Sequence, residues 1–139
     1  MFFEHLLDET STMSPPNPNS TWQKLKNRIL LVRDSNSFEE TLVQVTTLDI
    51  FCAENGIRQI DLLKIDVEGF EYVVLKGAQN VLMKGAIKAI QIERHMDDTR
   101  TDNSSRINEF LNYYDFNLCA SIKHTVGNYY EDIYTWHED

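Results

Sequence analysis

The sequence predicts an α/β domain whose mostly parallel sheet ends in an antiparallel hairpin. Two observations carry this prediction. Strand-like segments alternate with segments of helical periodicity, and the last two strand-like segments follow each other across a turn. The chain has 139 residues, of which 42% are apolar, so it can form one globular domain. We expect an irregular N-terminal segment over residues 1–42 and the core over residues 43–139.

The charge balance and the apolar pattern exclude several classes of protein. Asp and Glu number 22 against 13 Lys and Arg, and the net charge of −9 disfavours nucleic acid and anionic membranes as partners. No apolar run reaches the roughly 18 residues of a membrane span, and the first residues lack the basic segment of a signal peptide. We therefore expect a cytoplasmic protein. Cys52 and Cys119 lie among apolar neighbours and are expected to be buried free thiols.

The first third of the chain has the least regular pattern. Residues 2–7 predict a short strand, and residues 8–21, rich in Ser, Thr, Pro and Asn, predict a loop. Two β-prone runs at residues 29–32 and 41–45 enclose a turn-like segment, so together they predict a hairpin.

Two helices are expected to flank a strand over residues 60–67. Thr46 or Thr47 would cap the first helix, and Gly56 would end it. The strand is apolar on both faces, as a strand covered on both sides must be. Apolar residues at helical spacing predict the second helix over residues 70–82.

The remaining segments complete the order strand, helix, strand, helix and two strands. Residues 87–93 form a β-prone run, and Ser104 or Ser105 would cap the helix that follows. Residues 116–122 and 130–136 alternate between apolar and polar side chains, which predicts a terminal hairpin.

Acidic residues cluster where two of the predicted strands end. Asp66 and Glu68 lie at the end of the first of these strands, and Glu93 ends the next. Ligands of open α/β sheets bind beyond the carboxyl ends of the strands, and neighbouring strands lie about 4.8 Å apart. If the two strands are neighbours, Asp66 and Glu93 lie side by side. Two close carboxylates disfavour each other's charge unless a cation intervenes.

Period-two counting adds a lysine and a glycine to this cluster. Lys64, Asp66 and Glu68 would project to one side if the strand stays extended that far. A lysine in an apolar strand is costly unless paired, so Lys64 is either a partner of Asp66 or part of a site. Gly69 permits the turn into the next helix and a close approach of the backbone to a ligand.

Each of these residues also has a purely structural interpretation. Asp66 would then cap the following helix, and His95 would be a solvated loop residue. Glu93 would pair with Arg94 or Lys88 at the surface. A metal cluster of Asp66, Glu93 and His95 is disfavoured, because their spacing matches no compact ligand pattern.

Four short motifs follow one another through the middle of the chain. They are VTTLD at residues 45–49, IDLLKIDVEGFE at residues 60–71, VLKGA at residues 74–78 and IQIE at residues 90–93. In this order they resemble the FkbM-type methyltransferases. The resemblance implies a Rossmann-like, three-layer methyltransferase fold, in which the strand before Asp66 is the fourth and the strand ending at Glu93 is the fifth.

The resemblance also implies an activity: transfer of a methyl group from S-adenosylmethionine to a hydroxyl oxygen of a small molecule or a sugar. Asp66 would be the general base or would orient the acceptor hydroxyl. Glu68 and Glu93 would be the further catalytic candidates, as acceptor-binding groups or as ligands of an optional cation. The other implied assignments are cofactor contacts from Asp66, Val67 and Gly69, and acceptor contacts from Lys64 and His95, with His95 also a candidate for acid–base work.

One departure from the family pattern affects the expected architecture. The family binds its cofactor with a Gly-rich turn after the first strand, whereas the first 59 residues here contain one glycine, Gly56. We therefore expect an N-terminally truncated domain that begins near the third strand. The alternative to an enzyme is a non-catalytic module that acts as a homodimer, or with a partner chain that supplies the missing strands. A domain for another nucleotide has little support without that turn.

Overall fold

The computed structural model describes six stretches of the chain: residues 2–5, 11–12, 38–41, 43–95, 104–125 and 129–137. The chain divides into two compact units, which are described separately. The first comprises Met1–Val45 and Asp97–Thr101, and the second comprises Thr46–Met96 and Asp102–Asp139.

The first unit contains a three-stranded antiparallel sheet. Its strands are β1 (Phe2–His5), β2 (Ser11–Thr12) and β3 (Phe38–Thr41). β1 lies in the middle and pairs with both others, in the order β2-β1-β3. The strand predicted at the N-terminus is therefore confirmed over β1.

The hairpin predicted for the first third of the chain is only partly tested. The run at residues 29–32 lies outside the described residues. The run at residues 41–45 is wrong as a strand, because residues 43–45 have no regular structure and β3 ends at Thr41. β3 pairs with β1 over four residues instead. The short β2 also lies within the segment that was expected to be a loop.

The second unit is built on a mixed four-stranded sheet. Its elements in chain order are α1 (Leu48–Glu54), β4 (Ile60–Ile65), α2 (Glu71–Lys76), α3 (Gln79–Met83), β5 (Ile87–His95), α4 (Ser104–Tyr113), β6 (Phe116–His124) and β7 (Tyr129–Trp136). The strand order is β4-β5-β7-β6. β4 and β5 are parallel, whereas β7 runs antiparallel to β5 on one side and to β6 on the other.

This topology corrects the expectation of a mostly parallel sheet. β4, β5 and β6 share one direction, but β7 lies between β5 and β6, so one pairing is parallel and two are antiparallel. The connection between β6 and β7 is short, which allows an antiparallel hairpin and excludes a parallel crossover. The predicted terminal hairpin is confirmed. The predicted turn at residues 127–128 lies outside the described residues.

The caps of α1 agree with the sequence. Thr47 is the N-cap, and its Oγ1 accepts a hydrogen bond from the backbone N of Ile50 at 3.2 Å. At the other end, Gly56 adopts a φ of 64°, in the left-handed region that favours glycine. Of the two candidates, Thr47 is therefore the residue that caps this helix.

The helix predicted over residues 70–82 is divided into α2 and α3 at Gly77. A Cβ on Gly77 would lie 3.1 Å from the Cβ of Thr47, so the backbone here approaches α1 closely. The backbone N of Asp49 also donates to the Gly77 carbonyl at 3.0 Å. The VTTLD and VLKGA motifs thus contact each other, and this contact interrupts the helix.

Only one face of β4 is well covered. Ile65 is 2% exposed and packs in a core with Ile90 and Leu111, whereas Leu62 is 54% exposed. The prediction of a strand covered on both faces is therefore wrong. Among the described strands of this sheet, β4 pairs with β5 alone, and the exposed Leu62 and Lys64 lie on the face opposite Ile65.

α4 packs its apolar side chains as the periodicity predicts. It begins at Ser104 and buries Ile107 and Leu111. Tyr114, which follows α4, is 8% exposed. Within the part of the chain that the structure describes, no helix is long and apolar enough to cross a membrane.

The two cysteines have different environments. Cys52 is buried, as expected, but Cys119 is exposed, and that expectation was wrong. The register of β6 on β7 shifts between Leu118 and Ala120, so Cys119 lies at an irregularity where the alternation of inward and outward side chains breaks.

Candidate functional site

The carboxyl ends of β4 and β5 meet at one edge of the sheet. Ile65, the last residue of β4, pairs with Ile92 of β5. Asp66 and Glu93 directly follow this pair, so the register places these two residues next to each other. The two strands that end near Asp66 and Glu93 are therefore neighbours, which was the condition for these carboxylates to lie side by side. The catalytic roles assigned to the two carboxylates stay predictions.

Asp66 lies at the surface beside Lys64. The Lys64 Nζ is 3.8 Å from Asp66 Oδ2, and the two side chains are 52% and 39% exposed. An ion pair this exposed contributes about 1 kcal/mol or less to stability. The structure thus pairs Lys64 with Asp66 and leaves the carboxylate reachable from solvent. The N-cap of α2 is Phe70, so Asp66 does not cap that helix.

The backbone turns sharply after Asp66. Glu68 adopts a φ of 56° and Gly69 a φ of 100°, and the first of these is unusual for a residue with a side chain. The strand therefore does not stay extended to Glu68. The expectation that Glu68 projects to the same side as Lys64 and Asp66 is wrong. The Oε2 atom of Glu68 is buried. Strained turns of this kind cluster at functional sites.

A residue of α2 holds this turn in place. Glu71 is 8% exposed, and its Oε1 accepts a hydrogen bond from the backbone N of Gly69 at 2.9 Å. The carboxylate also lies in the first turn of α2, where the helix dipole favours a negative charge. Glu71 therefore has a structural role.

Glu93 faces a second carboxylate across the sheet. It is half-buried and lies opposite Glu131 of β7. Glu131 Oε2 in turn lies 3.1 Å from His124 Nε2 at the end of β6. The His124 ring stacks on Tyr129, with centroids 4.4 Å apart. His95 ends β5 at the position opposite Tyr129. The pair formed by His124 and Glu131 is not visible in the sequence pattern, because it depends on the register of β6 on β7.

A buried ion pair lies in the same part of the sheet. Arg94 Nε is 2.8 Å from Asp132 Oδ2, and the side chain of Asp132 is 7% exposed. Ser121 Oγ donates a hydrogen bond to the other oxygen of Asp132. The Arg94 guanidinium also lies 4.6 Å from the centroid of the Tyr130 ring. These contacts give the Asp132 charge the partners that burial requires.

Tyr134 extends this polar cluster along β7. It is 2% exposed, and its hydroxyl donates to Asn108 Oδ1 on α4. Burial and, second, the negative charge of Asp132 raise the pKa of Tyr134 to about 12, while Arg94 acts in the opposite direction. The sequence pattern indicates that Asp132 is unusual, because it takes the place of an apolar residue between Tyr130 and Tyr134 in the alternation of the strand.

The described side chains do not gather into a metal site. In the stretches that the structure describes, no group of three or more His, Cys, Asp or Glu residues is placed to hold an ion.

Comparison with known proteins gives one positive result. A family model described as the methyltransferase FkbM domain matches residues 3–118. The match begins far upstream of the VTTLD motif and ends within β6, so it covers well over half of the chain. Neither a search of curated proteins nor a search of solved structures found a match. The chain therefore belongs to the FkbM methyltransferase domain family.

Proposed function

We propose that this chain is an S-adenosylmethionine-dependent O-methyltransferase that acts on a hydroxyl group of a small molecule or a sugar. Membership of a methyltransferase domain family supports the reaction class. The observation that carries the proposal is the parallel register of β4 and β5, in which Asp66 and Glu93 directly follow a paired position. This edge of an open α/β sheet is the usual place for a ligand.

The strand order supports the Rossmann-like, three-layer fold that the resemblance implies. In the order β4-β5-β7-β6, an antiparallel strand lies between two strands that share the direction of β4. The resemblance assigns β4 and β5 to the fourth and fifth strands of that fold. It assigns β6 and β7 to the strands that close the sheet. We therefore propose that these four strands form the C-terminal half of a methyltransferase sheet.

The turn after β4 suits a positively charged methyl donor. Asp66 carries a partly exposed carboxylate and Glu68 a buried carboxylate oxygen, and both complement a positive charge. When bound, S-adenosylmethionine would supply a methyl group on a positively charged sulfur atom. Asp66, Val67 and Gly69 would hold the cofactor, since Gly69 has no Cβ to obstruct a close approach of the backbone.

The same turn provides groups for the acceptor. Asp66 can accept a hydrogen bond from a hydroxyl and so orient a lone pair of its oxygen for in-line transfer. Lys64, 3.8 Å from Asp66, would donate to a neighbouring oxygen of the acceptor. Glu68 and Glu93 are the further candidates, as acceptor-binding groups or as ligands of an optional cation, and His95 lies at the end of the adjacent strand.

Calorimetric titration with S-adenosylhomocysteine tests this proposal. We expect a dissociation constant in the micromolar range, corresponding to about −8 kcal/mol. Adenosine monophosphate serves as the control ligand, because it shares the adenosine but lacks the amino-acid part. An absence of heat from a chain that circular dichroism shows to be folded would contradict the proposal. Tighter binding of the control nucleotide would favour a site for a different nucleotide.

The exposed residues of the sheet favour a second candidate function, a non-catalytic module that assembles with another chain. Leu62 of β4 is 54% exposed and Ile122 of β6 is 46% exposed. Exposed apolar strands at the edge of a sheet pair with other chains. A dimer that persists on dilution in sedimentation velocity, together with no affinity for S-adenosylhomocysteine, would support this candidate over the enzyme.

A further inference from the structure

The turn between β4 and α2 has a backbone conformation that its sequence does not favour. The Val67 carbonyl accepts a hydrogen bond from the backbone N of Phe70 at 3.3 Å, which closes a four-residue turn. Both central residues have positive φ angles, 56° at Glu68 and 100° at Gly69. Turns of this kind usually have Asn, Asp or Gly at the first central position. Because a glutamate occupies it here, a contact from outside the turn has to offset the conformational cost.

Glu71 provides such a contact. Its Oε1 accepts a hydrogen bond from the backbone N of Gly69 at 2.9 Å. A hydrogen bond to a carboxylate is stronger than one between neutral groups, and water competes little here because Glu71 is 8% exposed. Phe70, the N-cap of α2, makes no side-chain capping bond. Glu71, the first residue of α2, therefore connects the turn to the helix.

This turn contains the residues that the proposed function assigns to the cofactor. Asp66 directly precedes the turn, and Val67 and Gly69 belong to it. The side chain of Asp66 is 39% exposed and can reach a ligand, whereas Glu71 is almost completely buried. Glu71 is therefore not placed to contact the cofactor itself. It determines the backbone conformation of the residues that would contact it.

We infer that Glu71 is a positioning residue of the proposed site, whose hydrogen bond to Gly69 holds the turn in the conformation that binds S-adenosylmethionine. The inference rests on the proposed function and deepens it. Without this bond, Glu68 would relax toward the ordinary negative φ region, and the binding conformation would become a minor one. The apparent affinity for a ligand falls in proportion to the fraction of molecules in the binding conformation. Loss of the bond should therefore weaken cofactor binding although no direct contact is removed.

The first test compares two substitutions of similar size in calorimetric titrations with S-adenosylhomocysteine. Glu71→Met lacks a strong acceptor and should bind about 10-fold more weakly than wild type. Glu71→Gln keeps an acceptor oxygen and should stay within about threefold. Asp49→Ala is the matched control, because Asp49 also accepts hydrogen bonds from backbone N–H groups, those of Asn80 and Val81, but none from this turn. The control should lose stability and keep its affinity.

A double-mutant cycle tests whether Glu71 acts through the conformation of Glu68. Asparagine adopts the left-handed region more readily than glutamate does. Glu71→Met should therefore weaken binding of S-adenosylhomocysteine less when Glu68→Asn is already present than when it is absent. Any direct contribution of the Glu68 side chain to binding cancels, because both members of that comparison lack it. Equal losses in the two backgrounds would overturn the inference.

A third measurement needs no ligand. The amide proton of Gly69 should exchange slowly with solvent in the wild-type chain, because it is donated to Glu71. In NMR spectra, Glu71→Met should shift the amide signal of Gly69 and raise its exchange rate. Glu71→Gln should preserve most of the protection, and Asp49→Ala should leave the signal in place. An unchanged Gly69 signal in Glu71→Met would overturn the inference, because the bond would then not exist in solution.

The outcomes separate this inference from the proposed function. Wild-type affinity in Glu71→Met would overturn the role of Glu71 and leave the proposed function intact. An equal loss of affinity in Asp49→Ala would assign the effect to general destabilisation and would also overturn that role. A folded wild-type chain that binds no S-adenosylhomocysteine would overturn both proposals. Circular dichroism shows whether each variant is folded, and Glu71→Ala repeats the comparison should Glu71→Met not fold.

Discussion

Asp49 Oδ1 accepts a hydrogen bond from the backbone N of Val81 at 3.0 Å, across 32 positions of the chain. The other oxygen of Asp49 accepts from the backbone N of Asn80, also at 3.0 Å. These two N–H groups lie in the first turn of α3, where a helix leaves its donors without internal partners. A side chain of α1 therefore caps a helix that begins 30 residues later.

The substitution Asp49→Ala should destabilise the second unit. Loss of a capping side chain costs about 1–2 kcal/mol, and here the same change also removes the link between α1 and α3. Urea unfolding followed by circular dichroism measures the difference in free energy. Glu54→Ala, an exposed change at the end of α1, is the control and should stay within about 0.5 kcal/mol of wild type. An equal effect of the two substitutions would contradict the capping role.

The contact between Asp49 and α3 shows which parts of the fold could be predicted. Thr47 as a cap, the positions of β4 to β7 and the buried face of α4 follow from local patterns, and all three are confirmed. The interruption of the predicted helix at Gly77 depends on a close approach of Thr47, which is distant in the sequence. Periodicity alone contains no information about such a contact.

The candidate site was predictable to a similar extent. The end of a strand is visible in a sequence, so Asp66 and Glu93 could be found from the pattern. The left-handed Glu68 could not, because its conformation depends on the turn that Glu71 holds. The register of β5 on β7 pairs Glu93 with Glu131. A register is set by the whole sheet and cannot be read from either strand.

The buried ion pair predicts a large difference between two aspartates. Asp132 is buried and bonded to Arg94 and Ser121, whereas Asp61 forms an exposed pair with Lys88. Asp132→Ala leaves a mostly buried guanidinium without this partner and should cost about 3 kcal/mol. Asp61→Ala should cost about 0.5 kcal/mol. Urea unfolding of both variants measures the contrast, and similar costs would show that Asp132 is not a structural residue.

The environment of Tyr134 predicts a loss of stability in strong base. Its pKa rises from 10.0 to about 12 in the folded chain. A raised pKa stabilises the fold below the unfolded value, and this contribution is lost as pH rises from about 10 to about 12. The loss amounts to roughly 2–3 kcal/mol. Urea unfolding at the two ends of this range should show a smaller decrease for Tyr134→Phe than for wild type. Equal decreases would contradict the prediction.

The substitution Asp66→Asn should affect the rate of methyl transfer much more than the stability of the fold. Because its pair with Lys64 is exposed, Asp66→Asn should change the free energy of unfolding by about 1 kcal/mol or less. If Asp66 orients or deprotonates the acceptor, the same substitution should lower the rate of methyl transfer about 100-fold. Asp61→Asn is the matched control, since Asp61 lies on β4, the strand that precedes Asp66, is also exposed and also pairs with a lysine. Asp61→Asn should leave the rate unchanged. A rate unaffected by Asp66→Asn would remove Asp66 from the site, whereas equal losses in both variants would point to a general disturbance of β4.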